Sequence, residues 1–295
     1  MRAVAHWDDA PTESEDLGTI GGTYTWLGEA VGSRRLGATR SQVLPGHAAT
    51  PQHAEDEEVF YVLGGSGWSV QEDGCFAITE GDVVYYGAWE PAHTVVAGDG
   101  GLDVIAMGTV EGHVGVTRFP RIDRVRVGGV LAGGDHTHQW ELEALLPRVE
   151  VADPPDPRPA TIVNRDEVPA RPLGGGRARW CRPALGMRGI SLTFAELDAG
   201  QEGAPPHCHS EEEELFVVLE GDGVLLLGND EQQHAVRAGS LVGRPPASRV
   251  PHAFRAGDRG MMLLMFSDKR PGDATYYPRT HDVYLRGLGV RVQAL

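Results

Sequence analysis

His207 and His209 stand two apart in "PPHCHSEEEELFVVLEGDG" (residues 205 to 223), Glu214 follows in the same stretch, and His252 lies further along. Imidazoles and a carboxylate together suit a borderline divalent metal ion. The competing reading is an acidic surface turn with histidines beside it. In an extended strand, residues i and i+2 share a face, so His207 and His209 point one way and Cys208 the other. Residues 210 to 213 are polar and suited to a turn, and a strand opening near Glu214 returns that carboxylate beside the histidines. The segment "GSLVGRPPASRVPH" ends on His252, on a later strand that can bring a third imidazole to the same point. Four groups from separate strands then converge on one spot. In the run Glu211 to Glu213 the acids read as solvated turn residues, and only Glu214 is placed to turn inward.

The stretch has a sister. "PQHAEDEEVFYVLGGSG" (51 to 67) aligns with "HCHSEEEELFVVLEGDG" (207 to 223) without a gap at an offset of 156. The alignment matches His53 to His209, Glu58 to Glu214, and Gly65 and Gly67 to Gly221 and Gly223. Downstream, Gly81 corresponds to Gly239 and His93 to His252. The chain is a tandem duplication with copies of ordinary domain size. In this alignment the first copy keeps His53, Glu58 and His93 but has Pro51 where the first histidine is expected. It reads as a degenerate copy kept for packing, with a weaker two-histidine, one-carboxylate site as the alternative. His47 could replace the missing ligand only by a detour. The acids Glu55 to Glu57 read as a second solvated turn.

These groups need elements to hold them. Short β-rich runs separated by glycine turns, such as "VFYVL", "DVVYY", "LFVVL" and "MMLLMF", argue for a barrel or sandwich in each copy. "HQWELEALLPRV" (138 to 149) reads as a short helix ending at Pro147. The expected division is an N-terminal domain over 1–148, a proline-rich extended linker over 149–177 and a C-terminal domain over 178–295. "DHTHQWELE" (135 to 143) holds another H-x-H, but lacks a glycine frame and a duplicate, and reads as a surface or interface feature.

The pattern H-x-H-x4-E-x6-G, followed by glycine, strand, proline-bearing turn and histidine, resembles the cupin superfamily, and two copies resemble a bicupin. The likeness spans roughly residues 35 to 115 and 190 to 268, with a longer turn than usual before His93 and His252. The closing "YYPRTHDVYLRGLGV" resembles the tails of bacterial bicupins and adds no chemistry. The resemblance implies an all-β fold of two tandem jelly-roll barrels. It also implies that His207, His209, Glu214 and His252 ligate one divalent ion, Fe, Mn, Ni, Cu, Co or Zn. Phe216 and Val218 should line the barrel beside Glu214 as an apolar pocket, and Arg244 or Arg249 could clamp a substrate carboxylate. Cys208 reads as a core thiol.

Composition bounds the function. The chain has 295 residues, with 42 acidic against 26 basic side chains and a net charge of −16. That charge disfavours nucleic acid and anionic membrane as partners. Three scattered cysteines make no disulfide framework. The first residues lack the apolar core of a secretory signal, and no run is long enough to span a bilayer, so the expected compartment is the cytoplasm. Three readings follow. The first is an Fe(II) dioxygenase acting on a small organic substrate, with Glu214 shuttling a proton; it leads because such bicupins are prominent among C–C-cleaving dioxygenases. The second is a non-redox decarboxylase, isomerase or lyase using Mn, Ni or Zn. The third is a binding module without turnover. A homodimer is expected.

Overall fold

The computed structural model describes residues 4–293, apart from 90, 111–114, 129 and 133–136. The described residues form two eight-stranded antiparallel sheets, one folded around each copy, and two smaller sheets of three and four strands. The strand Ile190–Leu197 shows why the apolar runs are nearly continuous. Ile190, Leu192 and Phe194 enter a core shared by both copies, together with Leu27, Val59 and Ile105 from the first. The alternate residues Ala195 and Leu197 enter the second barrel's own core with Phe216, Val218 and Phe254. Strands buried on both faces need apolar residues at both parities.

In each barrel one long strand is the hub. Glu214–Leu227 pairs with Ser240–Arg244 and with His252–Asp268, as Glu58–Gln71 pairs with Asp82–Tyr86 and His93–Thr109. Both hubs break register at the repeated glycines, between Gly65 and Gly67 and between Gly221 and Gly223. A Cβ on Gly221 would lie 2.1 Å from the Gly260 carbonyl oxygen, and its φ of 77° is open only to glycine at low cost. The glycine frame is therefore the irregularity at which each hub strand shifts register.

The two copies exchange strands. Ala5–His6 pairs with Leu241 and Ser240 of the second copy, and Ile162–Asn164 pairs with Val84, Val83 and Asp82 of the first. Each exchanged strand runs into a one-turn helix closed alike: His6 accepts from the Asp8 amide, and Asn164 from the Asp166 amide. The stretch read as an extended linker thus holds the strands Ile162–Asn164 and Ala170–Pro172 and opens the second copy. Only the prolines up to Pro159 deny it regular structure. Gln139–Ala144 forms the expected short helix. Among the described residues no helix is long and apolar enough to cross a membrane.

Candidate metal centre

His207 and His252 form an isolated antiparallel bridge, each amide donating to the other's carbonyl at 3.1 and 2.9 Å. Nδ1 of His207 donates to the Pro205 carbonyl at 2.8 Å, which leaves Nε2 with its lone pair. Nδ1 of His209 donates to Asp273 Oδ2 at 2.7 Å. Nε2 of His209 lies 3.6 Å, and Nε2 of His252 3.1 Å, from Glu214 Oε2. Glu214 Oε2 and His252 Nε2 are nonetheless buried atoms without a hydrogen-bond partner. Ligand atoms of His207, His209 and Glu214 all fall within 4.8 Å of one another. Buried polar atoms are otherwise almost always satisfied, and a divalent cation amid these would satisfy them all.

The electrostatics suit that ion. Burial pushes His207 down and His252 down to about 4, so both imidazoles are neutral. Burial also works to lower His209, but Glu214 and Asp273 outweigh it and hold it up. Burial would raise Glu214, yet His209, His252 and His207 hold it well below the ordinary carboxylate range. Its carboxyl is thus held as an anion.

Sequence reasoning missed Asp273. It is 1% exposed and also accepts from the Glu211 amide at 2.9 Å and from Thr275 Oγ1 at 3.3 Å. It sits before the strand Ala274–Tyr277, which pairs with Cys208–His209. Tyr277 stacks on His207, ring centres 5.7 Å apart. The tail set aside as adding no chemistry thus places Tyr277 on one imidazole, and Asp273, just before it, holds a second. A signal was available: "TRFPR" (117 to 121) and "TYYPR" (275 to 279) continue the repeat. The acidic run needs correcting as well. Glu212 is buried against Lys269 at 2.9 Å and Arg286 at 2.7 Å. Glu213 is buried and accepts from the Arg34 and Arg35 amides at 3.1 and 2.7 Å. Of the three, only Glu211 is exposed.

The first barrel corrects the alignment. His53 bridges His93 as His207 bridges His252, and its Nδ1 donates to Pro51 as that of His207 donates to Pro205. Ala54 bridges Arg118 where Cys208 pairs with Tyr276. His53 is therefore the counterpart of His207, Pro51 of Pro205, and Glu55 stands where His209 stands. The ungapped alignment failed because the loop before Glu58 is two residues shorter than the one before Glu214. Thr117 Oγ1 donates to Glu55 at 2.8 Å, so this acid is held rather than free in a solvated turn. His53, Glu58 and His93 do cluster. Here, however, His93 Nε2 hydrogen-bonds Glu58 Oε2 at 3.0 Å, and His53 Nε2 lies 3.2 Å from the same atom. Burial opposes a charge on His53, but Glu58 outweighs it and raises the imidazole to about 9. Glu58 is held far below its usual range against burial, and burial lowers His93, which stacks on Tyr86 at 3.5 Å. In this trio Glu58 thus favours a proton on His53. His47 turns its Nδ1 to the Pro45 carbonyl at 2.8 Å and replaces nothing.

The other expected residues divide. Phe216 borders a cavity of about 20 Å³, room for a water at most, and Val218 lies in the core. Arg244 stands opposite Glu214 on the adjacent strand, but its Nη2 donates to the Val250 carbonyl at 2.9 Å. Arg249 is exposed in a left-handed backbone (φ 54°). Cys208 is a buried thiol raised by burial. His138 and Glu141 are exposed, and His136 lies outside the described residues. The space of substrate size is elsewhere. A cleft of about 630 Å³ reaches His207, His209 and Glu214 past Ser191, Thr193, Met265 and Ser267. The inward residues of Ile190–Leu197 grade from Ser191 and Thr193 at the mouth to Ala195 and Leu197 below, which makes the mouth polar.

Residues 193–267 match the cupin domain family. No curated protein matches the chain. Among solved structures, the oxalate decarboxylase of Lactobacillus farciminis in its formate complex is similar at 16% identity and a TM-score of 0.64. That likeness covers 94% of this chain and 88% of the other. Bacillus subtilis oxalate decarboxylase at pH 4.6 is similar at 14% identity and a TM-score of 0.61, over 90% of this chain and 75% of that one.

Proposed function

Taking as premise that the chain has the two-barrel cupin fold, with a cupin domain in its second half, we propose that it is a metal-dependent enzyme acting on a small organic substrate through its second barrel. His207, His209, Glu214 and His252 hold one divalent transition ion. The observation that carries this reading is the buried, unpartnered pair Glu214 Oε2 and His252 Nε2, 3.1 Å apart among inward-facing imidazoles. A bound ion would supply Lewis acidity toward a substrate oxygen. The chain's own part is to keep two imidazoles neutral, orient His209 through Asp273, and present the hydroxyls of Ser191, Thr193 and Ser267 along the cleft.

The reaction class is the non-redox one: decarboxylation, isomerisation or elimination. The iron dioxygenase expectation gives way to it, because the likeness in fold to two oxalate decarboxylases supports a carboxylate chemistry. His207→Ala or His252→Ala should lower bound metal to well under half of wild type by elemental analysis, while His53→Ala changes it little. Full metal retained in both second-barrel variants would falsify the site. Turnover of a carboxylic acid that persists without O2 supports the reaction class; turnover with stoichiometric O2 uptake overturns it.

A further inference from the structure

The cleft over the second-barrel cluster is cationic in a chain of net charge −16. Arg171, Arg182, Lys269 and Arg286 line it, against the single carboxylate of Glu214. Lys269 and Arg286 are committed to the buried Glu212. Arg171 and Arg182 are not so committed: both are exposed, and among the described residues neither meets a carboxylate. Arg182 gives one hydrogen bond, to the Arg188 carbonyl at 2.8 Å. Trp180 borders the cleft beside them, and Leu173, Met187 and Met265 add apolar wall. The volume of about 630 Å³ falls in the ~300–1,000 Å³ range of sites for drug-sized ligands. A two-carbon diacid would leave most of it to water.

We infer that the cleft takes a small carboxylate with an apolar or aromatic body, larger than a two-carbon diacid. Its carboxylate pairs with Arg171 and Arg182, its body lies against Trp180, and its reacting end reaches the floor of His207, His209 and Glu214. The guanidinium fork gives the carboxylate its orientation, and the indole face gives the body an apolar platform. Only the role of the floor rests on the metal-enzyme reading; recognition at the mouth does not need the ion.

The test is calorimetric titration of the full chain, loaded with Mn(II) or treated with chelator. The probes are benzoate, phenylacetate, 3-phenylpropanoate and 4-phenylbutanoate, their amides, and oxalate. At least one acid should bind about tenfold tighter than its own amide and than oxalate, as expected for a charge-assisted pair. The double variant Arg171→Met/Arg182→Met should lose that tenfold preference, keep its thermal midpoint and bind the same amount of metal. The inference is overturned if no acid binds, if acid and amide bind alike, if oxalate binds tightest, or if the double variant keeps the preference. A wild-type chain that takes up no Mn(II) would defeat the metal reading alone, because acid preference in chelator-treated protein still decides this one.

Discussion

Asp273 fixes which nitrogen of His209 faces the centre, since a carboxylate at 2.7 Å takes the Nδ1 hydrogen and leaves Nε2 as the donor. Second-layer carboxylates of this kind set ring orientation and ligand basicity, and losing one costs about 10–100-fold in metal affinity. Asp273→Asn should weaken Mn(II) binding by that factor in competition with a chromophoric chelator, with the fold intact by circular dichroism. In the first barrel the decisive residue is His53. Its folded value of about 9 lies above the ordinary 6.5, so its stabilisation is complete below pH 6.5 and lost as pH rises through 9. Metal-free protein should lose on the order of 2 kcal/mol of unfolding free energy between pH 6.5 and 9.5 in urea, and His53→Gln should flatten that slope. An unchanged slope in the variant would place the titration elsewhere.

Glu57 and Glu213 show what the loops between strands accomplish. Glu57 accepts from the Arg188 amide at 2.8 Å and from Gly189 in the second copy, while Glu213 accepts from Arg34 and Arg35 in the first. Glu213→Ala strands two amides without their acceptor and should cost about 2–4 kcal/mol in chemical denaturation, with Glu213→Gln costing less because one carbonyl oxygen remains. The sequence disclosed the cluster of His207, His209, Glu214 and His252 because alternation and glycine spacing are local properties. It hid the clamps because an acidic run looks the same whether water or a partner's backbone solvates it. The two-residue gap before Glu58 was equally opaque, since only the bridge between His53 and His93 shows which residues are equivalent. Asp273 escaped because it lies outside the motif, just before a strand whose pairing with Cys208–His209 the sequence does not show.

The two barrels do not stand apart. Leu27, Val59 and Ile105 of one copy share a core with Leu192, Phe194, Leu215 and Phe266 of the other. Scanning calorimetry of the full chain should therefore give one transition rather than two. Residues 178–295 produced alone should self-associate in light scattering, because that apolar face has lost its cover. A monomeric, separately melting second half would contradict the shared core. The contacts across this face are also reciprocal: strand for strand at Ala5–His6 and Ile162–Asn164, and acid for amide at Glu57 and Glu213. Such mutual contact is the hallmark of a two-fold dimer, here written into a single polypeptide. In a true homodimer a mutation strikes both sites together. A fused gene lifts that restriction, so the halves diverge one residue at a time, and one carries Glu55 where the other carries His209.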